Sequence, residues 1–360
     1  MSSTFEAGRF GSGHAVHRIE DAALLAGQGR YTDDVPAAGE TVLAFLRSPY
    51  AHARIVSVDT TAARALPGVL AAYTGAELAA AGVKPIPSID VFKRADGSAL
   101  ATPPRRALAH ERVRFVGEAV AAVVAESRDA ARDACEAIVV DYEELPSVND
   151  AASAVRPGAV AICSEAPDNI AAEMRHGDAA ATRLAFERAV HVVSLDLVNQ
   201  RLAPSSIEPR SVLAETDPSS GRLTVRLSSQ MPTAAMNGLI DAIPGLAPGQ
   251  VRVVVGDVGG GFGMKTGVYP EDIVVAWAAR ALGRPVRWQA ERSEDLVAAV
   301  HGRDVASRAE LALDANGTVL ALRVHSLANV GAYATATGVV IQLLIGPWVT
   351  TSIYDIGTVD

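Results

Sequence analysis

The chain has 360 residues and a formal net charge of −9, with 32 Lys and Arg against 41 Asp and Glu. That balance argues against a nucleic-acid partner, because phosphate recognition needs clustered Lys and Arg. Hydrophobic residues make up 49% of the chain, enough core material for about two or three domains.

Residues 1–17 are rich in Gly and Ser without periodicity and are expected to form a flexible arm. His14 and His17 have the spacing of a metal pair, but an arm is a poor place to fix ligand geometry. From 18 to 147 short strands alternate with helices. The strands include Thr41–Leu46 and Gly117–Ala125, and the helices Ala76–Ala80 and Ser127–Glu136, with Ser127 as N-cap. Ile138–Tyr142 reads as a strand stopped by Pro146. An Ala-, Pro- and Asp-rich linker is expected over 148–175, and a second region over 176–360. Its strands fall at Ala189–Leu197, Ser211–Glu215, Leu223–Leu227, Val251–Val255, Val286–Ala290, Ser307–Leu313 and Val319–Val324. A helix should open at Pro270 and run to Arg280. The Asn316-Gly317 pair predicts a hairpin with a primed turn, which needs positive φ at both residues. Mixed strands and helices in these runs argue for an α+β fold.

Cys135 and Cys163 are not spaced as Cys-x-x-Cys, which argues against an iron–sulfur cluster or structural zinc in this chain. They read as buried free thiols of a reducing compartment. No charge-free apolar stretch reaches membrane-spanning length. The opening Met1-Ser-Ser-Thr-Phe-Glu6 lacks the charged-then-apolar order of a signal peptide, so a cytoplasmic location is expected.

The run Gly256-Asp-Val-Gly-Gly-Gly-Phe-Gly-Met-Lys265 follows a β-branched strand and precedes a helix. Backbone N–H groups in such a turn can point at an anionic or oxo-like group, and the missing Cβ atoms let a flat ligand approach. It is not a phosphate-binding Walker loop, because Phe262 stands where the Lys belongs. It also fails the dinucleotide fingerprint, whose third glycine falls on Met264 or Thr266. Locally, a tight strand-to-helix turn explains the run as well as a ligand loop does.

Asp257–Lys265, Tyr269–Asp272, Gly283–Trp288, Glu291–Asp295, His301–Asp304 and Ala328–Tyr333 together resemble the molybdenum hydroxylases. These are the xanthine dehydrogenase, aldehyde oxidase and carbon monoxide dehydrogenase family. Ile207–Arg210, Ser228–Pro232, Arg18–Asp21, Gly27–Tyr31, Arg47–His52, Arg114–Val120 and Val140–Pro146 extend the likeness over nearly the whole chain. The resemblance implies an α/β hammerhead-type first domain, then the first part of a molybdopterin-binding domain. It implies a molybdenum–pterin cofactor (Moco) that hydroxylates an aldehyde or N-heteroaromatic carbon with water-derived oxygen. A glutamate would act as base, and electrons would pass to 2Fe-2S clusters and FAD on partner subunits.

The resemblance makes Gln230 a donor to an apical oxo ligand; otherwise it is an amide at an exposed strand end. It places Gly260, Gly261, Phe262 and Gly263 against the cofactor, with no residue as a direct metal ligand. Lys265 either steadies a phosphate or solvates the loop. Arg210 is read as an ion-pairing residue that orders the loop. Met264 and Met231 are read as packing or pocket wall, and Tyr333 as a pocket contact. His301 and Arg303 receive no role.

Family catalytic chains are much longer, and the segment of Gly-Val-Gly-Glu type that carries their base has no counterpart here. Phe115-Val-Gly-Glu118 resembles it only superficially and belongs to the first domain, so no catalytic base is assigned. The chain is therefore expected to be enzymatic only with a carboxy-terminal half of the large subunit. An iron–sulfur small subunit, an FAD medium subunit and a small-molecule substrate complete the expected partners. The alternative is a non-catalytic remnant or assembly subunit. The stretch Met264–Asp272 looks more like the aldehyde or heteroaromatic type than the carbon monoxide type. Apolar surface is expected where a second half would dock, with self-association of the isolated chain.

Overall fold

The computed structural model describes residues 18–89 and 91–360; the expected arm, with His14 and His17, lies outside them. In chain order the strands are β1 Thr41–Arg47, β2 Ala53–Asp59, β3 Val69–Thr74, β4 Arg112–Val113, β5 Ala119–Ala125, β6 Val139–Glu144, β7 His191–Asn199, β8 Ser211–Thr216, β9 Leu223–Leu227, β10 Val251–Val254, β11 Val286–Gln289, β12 Val305–Leu313 and β13 Val319–Ala328. The longer helices are α1 Gly75–Ala80, α2 Arg128–Glu136, α3 Ala179–Arg188, α4 Pro232–Ala242, α5 Pro270–Leu282 and α6 Arg292–Ala298.

One seven-stranded sheet has the order β10-β9-β8-β11-β1-β5-β3. It joins strands from both sides of the expected 147/176 division, because β1 pairs parallel with β11 through Thr41 and Val286. β5, Ala-Val-Ala-Ala-Val-Val-Ala, is buried along its length. Its Ala122 and Val124 join a core with Ile273, Val274 and Ala278 of α5, while Ala121 and Val123 face Ala134 and Cys135 of α2. Strand alternation thus serves two helical layers at once, and the run needs no polar face. A second sheet, β4-β2-β6, completes the amino-terminal region.

The third sheet, β13-β12-β7, ends in an edge strand whose nine residues are all exposed. Val192, Val193, Leu195, Leu197 and Val198 present apolar side chains there, as do Trp348 and Ile353 elsewhere. Exposed apolar surface was expected from the sequence, and these side chains are exposed in the chain by itself.

Several expectations need correction. The hairpin at 314–317 is not a primed turn: Gly317 has φ +84°, but Asn316 is not in the left-handed region. Asp314 instead accepts N–H bonds from Asn316 and Thr318 at 2.8 and 2.9 Å, and a bulge at Ala312/Leu313 absorbs the extra residue. The 148–175 stretch is tied down: Ala101 N–H donates to Ala171 O and Glu173 N–H to Lys93 O, both at 2.9 Å. Helices α3 and α4 fall in stretches between the expected strands, where no element was expected. α3 is Ala-rich and buries only Thr182 and Ala185, so its apolar face is thin. α4 starts on Pro232 at N1, a position that spares the missing N–H. Both cysteines are free and buried as expected, and burial pushes the Cys135 thiol up to about 12. Among the described residues no helix is long and apolar enough to cross a membrane.

Candidate functional site

The glycine loop leaves β10 and ends where Pro270 starts α5. Ser228, Ser229 and Gln230 follow β9, the neighbour of β10, so the sheet end brings the two segments together. The Gln230 N–H donates to Lys265 O at 2.7 Å. Gly263 N–H donates to Gln230 Oε1 at 2.9 Å. An N–H can meet only the amide oxygen, so this bond fixes the orientation of the side chain. Nε2 then points away with no acceptor among the described residues.

Each glycine here is needed for a different reason. A Cβ on Gly261 would overlap the Gln230 side chain, and one on Gly259 would overlap Glu208. Gly260 and Gly263 have φ of +103° and +80°. Phe262 adopts φ +50°, unusual for a bulky residue, and its ring is 75% exposed. Phe262 is therefore not a core aromatic. The N–H groups of Gly260, Gly261 and Phe262 find no acceptor among the described residues.

Lys265 does neither thing expected of it. Its ammonium is fully enclosed and donates to Glu208 O (2.8 Å), Glu208 Oε2 (3.0 Å) and Ser228 Oγ (2.8 Å). Burial lowers its pKa, and the Glu208 carboxylate opposes that shift. Glu208 Oε2 also accepts from Gly259 N–H at 2.8 Å and from Ser228 Oγ at 2.5 Å. Glu208 Oε1 and Ser206 Oγ, both beside the loop, are buried without a partner among the described residues. Roles for Glu208, Ser228 and Ser206 were not foreseen, although Glu208 and Ser228 sit inside the same short motifs as Arg210 and Gln230.

Behind the loop lies a buried ionic cluster. Arg210 donates to Glu271 at 3.0 Å and to Asp295 at 2.7 Å, with its guanidinium 4.1 Å from the Tyr269 ring centroid. Arg47 bonds Glu271 at 2.9 Å and Glu294 at 2.7 Å. Burial alone would raise Glu271, but Arg210 and Arg47 hold it down at about 2. Arg210 thus forms ion pairs as expected, but its partners lie on α5 and α6 and not in the loop it was expected to order. Asp272 accepts the Tyr269 N–H at 2.8 Å, and burial pushes it up to about 7, with Glu271 adding to the shift.

Met264 and Met231 flank the site, while His301 and Tyr333 lie outside the loop. Met264 is buried packing and Met231 is half exposed. His301 meets Leu296 O at 2.8 Å. Tyr333 is buried and donates to Glu118, which also accepts the Arg114 N–H at 2.6 Å. Burial raises the pKa of this enclosed Glu118, and its bonds lie within the protein.

Residues 26–146 match the family model for the aldehyde oxidase and xanthine dehydrogenase a/b hammerhead domain. Residues 162–360 match the molybdopterin cofactor-binding domain. The chain belongs to the molybdenum hydroxylase family. It is 35% identical to the nicotine 6-hydroxylase large subunit of Paenarthrobacter nicotinovorans, over 97% of this chain and 41% of that protein. It is 36% identical to the carbon monoxide dehydrogenase large chain of Afipia carboxidovorans, over 90% of this chain and 40% of that protein. Quinoline 2-oxidoreductase from Pseudomonas putida 86 superposes with a TM-score of 0.83 at 34% identity, covering 96% of this chain and 43% of that one. The chain spans about two fifths of the length of the curated relatives it matches. The α+β fold with its hammerhead domain is that of this molybdenum hydroxylase family.

The residues present fit a molybdenum–pterin cofactor on this structure's own terms. Gly261 lets the Gln230 side chain lie directly against the loop, the loop has unengaged N–H groups, and Ser206 Oγ and Glu208 Oε1 lack partners among the described residues. The Gln230 carboxamide and the loop N–H groups offer neutral donors suited to oxo and pterin acceptors.

Proposed function

We propose that this chain supplies one face of the Moco site in the large subunit of a molybdenum hydroxylase. The observation that carries this reading is the Gly263-to-Gln230 bond, which commits Oε1 and leaves Nε2 free to donate outward. When bound, the cofactor supplies the oxidation of an electron-poor carbon with water-derived oxygen. Gln230 Nε2 would donate to an oxo acceptor of the bound cofactor, and the N–H groups of Gly261 and Phe262 would add donors beside it. The Phe262 ring, exposed in this chain, would cover part of the bound cofactor. Lys265 stays inside the protein and holds the loop. No residue of this chain serves as general base, which we assign to a carboxy-terminal region of the large subunit. The whole assembly would include 2Fe-2S and FAD subunits as electron acceptors and act in the cytoplasm.

For substrate class we favour an N-heteroaromatic or aldehyde carbon. Nicotine 6-hydroxylase and quinoline 2-oxidoreductase match over 97% and 96% of this chain. The carbon monoxide dehydrogenase large chain is equally identical over a slightly shorter span, 90% of this chain. The test is to produce the complete large subunit and its partners in a host that makes the cofactor. Molybdenum content and dye-linked oxidation of aldehydes and N-heteroaromatics are then measured. Stoichiometric molybdenum with turnover supports the reading. A pure complex without molybdenum overturns it in favour of a non-catalytic assembly role.

A further inference from the structure

We infer that Lys265 is a positioning residue for Gln230, acting through Glu208 and Ser228; this rests on the Moco reading above. The ammonium has three donors, and the structure spends each on one partner: Glu208 O, Glu208 Oε2 and Ser228 Oγ. The same Glu208 oxygen takes the Gly259 N–H, which pins the front of the glycine loop. Ser228 stands two residues before Gln230, so holding its hydroxyl fixes the end of the segment from which the amide projects. The backbone of Lys265 completes the device, because its carbonyl accepts Gln230 N–H at 2.7 Å and Ser229 Oγ at 3.3 Å. One residue thus grips the Gln230 segment by its main chain and the loop by its side chain. Gly263 N–H reaches Gln230 Oε1 at 2.9 Å across the two segments that these grips hold.

This arrangement explains a cost. A fully enclosed Lys loses hydration, and burial lowers its pKa even beside Glu208. Packing alone at this point would be met by Leu or Met. A buried charge fixes direction as well as distance, since its donors must each find an oxygen. The wiring runs toward the loop and Gln230, and the ionic cluster around Arg210 and Glu271 does not use it.

The experiment compares amide hydrogen exchange in the complete large subunit, prepared free of cofactor, for wild type, Lys265→Met and Ser228→Ala. In Lys265→Met the amides of Gly259, Gly263 and Gln230 should exchange at least about tenfold faster, while those of Ile273–Ala279 in α5 stay unchanged. Ser228→Ala removes one of the three acceptors and should show a smaller acceleration at the same three amides; it decides the matter if Lys265→Met does not fold. Unchanged exchange at the loop overturns the inference. So does acceleration shared equally by α5, which would mark Lys265 as a general packing residue. Molybdenum content of the wild-type holoprotein, measured in parallel, tests the functional reading separately, because the exchange result needs no cofactor.

Discussion

Two polar regions meet at the start of α5, and they are built on opposite plans. The cluster of Arg47, Arg210, Glu271, Glu294 and Asp295 closes on itself. Its charges are paired with each other, although Arg210 Nη2 and Asp295 Oδ2 are buried without a partner among the described residues, and it ties β1, the segment before β8, α5 and α6 into one body. The glycine loop is left open: Gln230 Nε2 and three backbone N–H groups have no acceptor among the described residues, the Phe262 ring is exposed, and Ser206 Oγ and Glu208 Oε1 are buried without partners. Charge is used for holding, and neutral donors are used for presenting. A presenting group must be able to change partners, and a closed ion pair cannot do so without a large penalty.

The sharpest way to break this contrast is Arg210→Met. It leaves Glu271 and Asp295 buried without their shared cation, and should destabilise the protein by about 3–5 kcal/mol in urea unfolding at pH 7. A loss under about 1 kcal/mol would mean that the cluster does not hold the body together. Gly261→Ala comes next. Its Cβ would overlap the Gln230 side chain, so the amide must swing off Gly263. The expected loss is about 1–3 kcal/mol, as for other overpacked sites, together with a fall in bound molybdenum measured by elemental analysis. Retained metal with unchanged stability would show that the cradle has room to spare.

A pH series tests the closed region more gently. Asp272, ordinarily 3.8, sits at about 7 in the fold, so the fold favours its protonated form. Its contribution is fully present below about pH 3.8 and is lost as pH rises through about 7. Glu271, ordinarily 4.5, sits at about 2, so its contribution is present above about pH 4.5 and lost as pH falls toward 2. Asp272→Asn keeps an acceptor for Tyr269 N–H and removes the first term. Between about pH 4 and 7 its stability curve should be flatter than wild type, by up to about 1.4 kcal/mol per pH unit. Parallel curves would place the titration elsewhere.

How much of this was readable from sequence depends on whether a residue's role is local. The glycine loop, β9, β10 and the start of α5 at Pro270 follow from β-branched runs and turn residues, so they were legible. Gln230 and Gly261 were singled out by motif, and the fold does bring them together. Lys265 was misjudged because a Lys at the end of a glycine run is normally a surface residue. What buries it is Glu208, 57 residues earlier in the chain and not visible to any local pattern. The closed cluster was hidden for the same reason: Arg47 and Glu271 are 224 residues apart. The joining of β1 to β11 is also a long-range pairing, with only a parallel two-residue register to announce it.

Gln230→Ala should have the smallest effect on folding and a large one on chemistry, which is why it divides the two plans most cleanly. The side chain is exposed and its only described bond is from Gly263 N–H, so a stability change within about 0.5 kcal/mol is expected. If the amide donates to an oxo group whose charge grows in the transition state, removing it should lower kcat by about 10²-fold or more, as for other single preorganised donors. KM should move little, because the contact is strengthened in the transition state and not in substrate binding. A stable, fully loaded Gln230→Ala enzyme with unchanged kcat would break the assignment. It would reduce Gln230 to a brace for the loop, and the donors that matter would then be the backbone N–H groups of Gly261 and Phe262, which no side-chain substitution removes.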